Sequence, residues 1–231
     1  LEYQNKEETN RKQKMKSKKR VIGSIFIFFI FAFVFAYYKS ILRMAAEFLA
    51  PENLEVAETI IIESSEIVRE KAVKVGIDLI LKKKANSLVL VYQNSHNEKV
   101  FGRPSDYSAF LAEKLENWGL KREQILIVEV PKEHPVTLVE AQIVLQNLAR
   151  KKIKKAILLA EGFHTRRSFW TYKRVGEDLD IKIFPFPCFL KYQKETWWQD
   201  NQGIREFFAE SIKYLYYLIR GYIPIKSMVI I

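Results

Sequence analysis

KKAILLAEGFHTRRSFW, residues 154–170, decides the fold. Its first half contains KAILLA, a short unbroken apolar run of the kind buried on both faces of a parallel sheet. Its character changes at Gly162, which permits a tight strand-to-helix turn, and His164, Thr165, Arg166 and Arg167 then fall in the first turn of a helix. A buried strand feeding straight into a helix is the repeating element of an α/β protein.

Read outward, the same alternation covers the chain. ETIIIE (58–63), SLVLVY (87–92), QILIVEV (124–130) and DIKIFPF (180–186) join KAILLA as expected strands. Helical periodicity occupies 65–84, 105–118, 135–152, 165–175 and 203–220. The expectation is an α/β fold: a doubly wound, mainly parallel five-stranded sheet over 57–222, preceded by one transmembrane helix. Residues 43–56 read as a linker and 223–231 as an apolar tail.

Ligands of such sheets bind outside the carboxyl ends of the strands. Glu63, Glu129 and Glu161 stand at or near three of those ends, so the cleft is expected to gather them beside His164, Arg166 and Arg167. Each arginine in a first helical turn opposes the helix dipole by about 0.3–1 kcal/mol when exposed. A bound phosphate or carboxylate would reverse that sign and accept bidentate hydrogen bonds. The alternative is that both arginines are solvated or pair with Glu161 and nearby acids, while His164 merely closes the turn. Thr137 and Glu140, after Pro135, fit a capping box.

Other chemistry is excluded or weakly indicated. The chain has no G-x-S-x-G elbow, no Walker loop and no G-x-G-x-x-G. Its three histidines, His96, His134 and His164, lack metal-ligand spacing, so no metal and no cofactor is expected. Cys188, the single cysteine, reads as core. Trp197 and Trp198 either line a sugar or lipid site or pack as a lid over the sheet edge.

The formal charge of +11 is concentrated at the start: residues 2–20 carry a net +5. The remainder shows no basic groove interleaved with aromatics, so nucleic acid is not an expected partner. After that tail, Val21 to Tyr38 run eighteen residues without a charge, about 27 Å as a helix and enough to cross a hydrocarbon core as a single-pass anchor over 21–42, with Ile41 and Leu42 beyond Lys39. Eight Lys and Arg precede the run while Lys39 and Arg43 follow it, which places the N-terminus in the cytoplasm and the domain outside.

Several of these segments together resemble the YdcF-like family, which includes the SanA-like and ElyC-like envelope proteins. The resemblance covers about Glu58 to Tyr222. It rests on TIIIES (59–64), Trp118-Gly119-Leu120 before ILIVEV, TLVEAQ (137–142) and ILLAEGFHTRRSFWTYKR (157–174). WWQDNQGIREFFAESIKYLYYLIRGY (197–222) looks like the ending of a branch found with exopolysaccharide and exosortase systems. The resemblance implies a Rossmann-like domain acting in envelope polysaccharide or cell-wall metabolism on a phosphorylated intermediate, of polyprenyl-phosphate or sugar-phosphate type. Glu63, Thr137, Glu140, His164 and Arg167 match the family's polar motif residues, with Arg166 added in this branch. On that reading Arg166, Arg167, Gly162, Thr137 and Glu140 surround the anion, and His164 with Glu63 or Glu161 moves protons. The glycine-rich turns usual after the first two strands are replaced by IIESSE (61–66) and VYQNSHNEKVFGRPSD (91–106), a departure from a backbone phosphate cradle. That departure suits the other reading, a non-catalytic scaffold docking a membrane protein partner through the aromatic C-terminal helix. Fold analogy also suggests S-adenosylmethionine or a nucleotide, against which an outward-facing domain argues.

Overall fold

The computed structural model describes residues 25, 28–29, 32–64, 68–94 and 106–229. The chain divides into two units, Leu1–Met44 and Ala45–Ile231. In the first, the described residues are helical and expose Phe28, Phe29, Phe33 and Phe35. Among the described residues no helix is long and apolar enough to cross a membrane. The basic tail 1–20 and much of the apolar run expected to span lie outside the described residues.

In Ala45–Ile231 five strands form one sheet: β1 Thr59–Ile62, β2 Ser87–Asn94, β3 Ile125–Pro131, β4 Lys155–Glu161 and β5 Lys182–Cys188. Their order is β3-β2-β1-β4-β5 and every pairing is parallel, with Ile61 opposite Val89 on one side and Leu158 on the other. Among the described residues five α-helices cover it: α1 Glu70–Leu81, α2 Tyr107–Asn117, α3 Val136–Arg150, α4 Thr165–Leu179 and α5 Asn201–Ile219. The fold is thus Rossmann-like α/β.

The two-residue period of a strand sorts the apolar runs between two cores. Ile60, Ile62, Leu88, Leu90, Ile157 and Leu159 pack against α1 and α2 through Val73, Leu79, Leu111 and Leu115. Ile61, Val89, Val91, Val128 and Leu158 face the other way, onto α3, α4 and α5. Every buried side chain among the described residues lies in Ala45–Ile231, so this unit has a complete core of its own.

Three departures from the expected elements have physical causes. Helix α4 runs through Gly176 to Leu179, and glycine fits at 176 because the chain returning into β5 passes so close that a Cβ there would stand 2.6 Å from the Ile181 carbonyl oxygen. Strand β5 extends to Cys188 across Pro185 and Pro187, which an edge strand tolerates. The segment expected as a linker is integral from Ala45 onward, with Ala46, Leu49 and Ala50 buried, and Ile223 and Ser227 of the expected tail are buried too.

Candidate functional site

The strand order reverses direction between β1 and β4, the topological switch point at which open α/β sheets leave a crevice. A cavity of about 360 Å³ lies there. Ile62, Leu90, Leu159 and Cys188 give it an apolar floor; Glu63, His164, Arg167 and Glu210 form a polar wall, and Arg69, Lys191 and Lys213 are also among its lining residues.

His164 reaches this wall because β4 turns sharply at Gly162, whose φ of +51° favours glycine. A Cβ there would also meet the Tyr192 hydroxyl at 2.9 Å. Beyond the turn, both ring nitrogens of His164 face carboxylates: Nε2 is 3.2 Å from Glu63 Oε1 and Nδ1 is 3.3 Å from Glu210 Oε2. Burial opposes the imidazolium, as does Arg167, yet the Glu63 and Glu210 carboxylates push the ring up to about 9. Arg167 Nη2 lies 2.8 Å from Nδ1, a hydrogen bond when that nitrogen holds a lone pair. In the imidazolium form the two donors instead share Glu210 Oε2, which Arg167 Nη2 reaches at 2.9 Å and Nε at 3.1 Å. Although burial works against it, His164 and then Arg167 hold the Glu210 carboxyl well below the ordinary carboxylate range.

Glu63 is divided between two tasks. Its Oε1 accepts from the Ser168 hydroxyl and faces His164, while its Oε2 is buried with no hydrogen-bond partner among the described residues. The side chain is only 7% exposed and lines the cavity, where a ligand or a water can supply that partner. Behind it, Glu140 accepts from the Ser64 amide at 3.1 Å, the Ser64 hydroxyl and Tyr172 at 2.9 Å. Burial first, and the Glu63 charge second, push Glu140 up to about 7.

The remaining expected site residues are distributed unevenly. Arg166 does not reach the cavity. It is fully buried, donates to the carbonyls of Phe48, Ser227 and Val229, and stacks 3.7 Å from the Phe48 ring centroid. Its charge closes the C-terminal segment onto the start of the unit. Thr137 and Glu140 form no capping box: α3 begins at Val136 with Pro135 at its cap position, and both side chains turn inward. Thr137 Oγ1 accepts from Arg167 Nη1 at 2.8 Å, which fixes the guanidinium plane. Gly162 serves the turn and lies outside the cavity wall. Glu161 lines the cavity but pairs with Arg69 at 3.2 Å and Lys191 at 3.1 Å. Glu129 accepts from Tyr92 at 2.7 Å, outside the cavity wall. Trp197 packs on Phe207 with ring centroids 4.1 Å apart, in the aromatic cluster around Phe163.

Glu210 is the group that sequence reasoning missed. The anion expected at the start of α4 is this side chain, supplied by the chain itself from α5. One signal was available: Glu210 shares the inward stripe of α5 with Gly203, Tyr214 and Tyr217, where a carboxylate needs a buried partner. Ser168 and Tyr172, at four-residue steps from His164, form a similar polar stripe on α4. His134 is exposed and His96 lies outside the described residues, and no group of metal-ligating side chains occurs among the described residues. Cys188 is buried in the cavity floor, and burial pushes its thiol up to about 11.

No family model matches the chain, and no curated protein matches it. Among solved structures, the pantoate-beta-alanine (pantothenate synthetase) structure from Thermus thermophilus is similar at 11% identity with a TM-score of 0.35. The match covers 65% of this chain and 61% of that one, so the chain spans under two thirds of that protein's length.

Proposed function

We propose that the domain binds a phosphorylated cell-envelope intermediate, of polyprenyl-phosphate or sugar-phosphate type, and transfers a proton to or from it. The observation that carries this reading is the buried Oε2 of Glu63, without a hydrogen-bond partner among the described residues, in a cavity where the same carboxylate faces His164 at 3.2 Å. A raised imidazole is charged at neutral pH and suits a proton donor, while the unpartnered Glu63 oxygen suits an acceptor. Anion binding falls to Lys191 and Lys213, the latter half-exposed, whose pairings with Glu161, Glu206 and Glu210 an arriving phosphate would partly replace. Arg167 orients the ring. The ligand class comes from the resemblance to YdcF-like envelope proteins, and the eighteen-residue apolar run with its basic flank supports an anchor with the domain outside the cytoplasm.

The test is a thermal-shift titration of Ala45–Ile231 with inorganic phosphate, sugar phosphates and short-chain polyprenyl phosphates. Saturable stabilisation by one phosphorylated class, weakened in Lys191→Ala/Lys213→Ala and in Glu63→Gln, is the expected result. No stabilisation by any of them would overturn it. That outcome would favour the second reading, a non-catalytic scaffold docking a membrane polysaccharide-export or cell-wall enzyme. One observation favours it: Glu210 already satisfies both His164 and Arg167.

A further inference from the structure

Helix α5 has two working faces. Glu206, Glu210 and Lys213 line the cavity, while Gly203, Tyr214 and Tyr217 pack inward. Its outer face carries Phe208, Ile212, Leu215 and Ile219, spaced four, three and four residues apart and 59%, 69%, 52% and 84% exposed. Spacing of this kind puts all four on one stripe about three turns long. Tyr216 widens the stripe with a ring half in solvent. The charged residues exposed along the helix are Arg205, Lys213 and Arg220, and the two acids of the helix, Glu206 and Glu210, are turned toward the cavity.

An exposed apolar stripe bordered by cations, with an aromatic ring at its edge and its acids withdrawn, has the chemistry of a helix lying in an anionic lipid interface. A second copy of the chain suits it poorly, since apposing this face on itself would set three cations against three with no exposed acid on either side. We infer that the outer face of α5 docks on an anionic membrane surface. Lys213 lies about 100° round the helix from Ile212, between Tyr216 and the cavity-lining Glu206 and Glu210, so docking would leave it on the flank that leads from the headgroups to the cavity. A phosphorylated, lipid-linked ligand would then reach the cavity from the bilayer rather than from bulk water. The anchor proposed above would hold the domain near the membrane; the stripe would orient it.

The full chain offers a direct test. Cys188 is buried, so Ile212→Cys provides the accessible thiol for a fluorophore, and Glu113→Cys on α2, behind the sheet, is the control. The labelled chain is placed with phosphatidylcholine vesicles, with or without phosphatidylglycerol, that carry a lipid-borne nitroxide quencher. The expected result is several-fold stronger quenching at 212 than at 113, dependent on phosphatidylglycerol and lost in Arg205→Glu/Arg220→Glu. Equal quenching at both positions overturns the inference. So does a protected, unquenched label at 212 with energy transfer between chains, which would make the face a contact between copies. A failed anchor is a separate outcome: the chain would elute from vesicles at high salt, with position 212 still quenched at low salt.

Discussion

Arg167 Nη2 lies 2.9 Å from Glu210 Oε2, joining the helix after β4 to the C-terminal helix through a pair that is almost wholly buried. Breaking such a pair from one side leaves the other charge without compensation, at a cost of about 3–5 kcal/mol. Glu210→Ala should therefore lower stability by that amount in denaturant melts. It should also lower the His164 pKa, because a carboxylate that raises it is gone. A loss under about 1 kcal/mol would mean the pair is incidental.

Stability should fall as pH rises through the slightly alkaline range. His164 is pushed up from 6.5 to about 9, so the folded chain holds a proton that the unfolded chain releases. Its contribution is complete below pH 6.5 and gone above about 9, a swing on the order of 3 kcal/mol. Glu140, raised from 4.5 to about 7, acts in the same direction at lower pH: its contribution is present below 4.5 and lost as pH approaches 7. Glu210 is depressed and has the opposite sign, so its contribution is lost in acid. Melting temperatures of the parent and His164→Gln between pH 6 and pH 9.5 test this, with the alkaline slope expected in the parent alone.

Arg166→Gln should detach the C-terminal segment. The guanidinium donates at 3.0 Å to Ser227, 2.7 Å to Phe48 and 2.5 Å to Val229 carbonyls, and the loss should reach about 3 kcal/mol. Limited proteolysis should then cut near residues 223–229, while ligand stabilisation of the folded fraction persists. Lost ligand binding with an intact tail would return Arg166 to the site.

Gly162→Ala should cost about 1–2 kcal/mol in a denaturant melt, since φ of +51° is strained for alanine and the new methyl meets Tyr192. No loss would show that the turn relaxes freely.

The contrast between Arg166 and Arg167 shows how far the residues alone lead. The five strands were legible because parallel strands buried on both faces leave unbroken runs such as TIII and AILLA, and the strand ends pointed to the cleft; the strand order and its reversal between β1 and β4 were not legible, because apolar runs do not say which strands are neighbours. Glu63 and His164 were legible because each closely follows a strand end. Arg166 was not: adjacent positions in a helix point about 100° apart, so two neighbouring arginines start toward different surroundings, and only packing decides which one faces the cavity. Glu210 lies 43 residues from Arg167, and a capping-box pattern at Thr137 and Glu140 hid two inward-facing groups. Local pattern reports on neighbours along the chain, whereas this site is assembled from β1, α3, α4 and α5.

The chain has three histidines, so the imidazole signals are few enough to assign by single substitution. The most direct measurement is the nitrogen-15 titration of His164 in Ala45–Ile231, alone and with the phosphorylated ligand that stabilises it most. Both ring nitrogens should carry protons at neutral pH, with a midpoint near 9 that shifts on ligand addition. A midpoint at the ordinary 6.5, unmoved by any phosphorylated ligand, would contradict the proposed function.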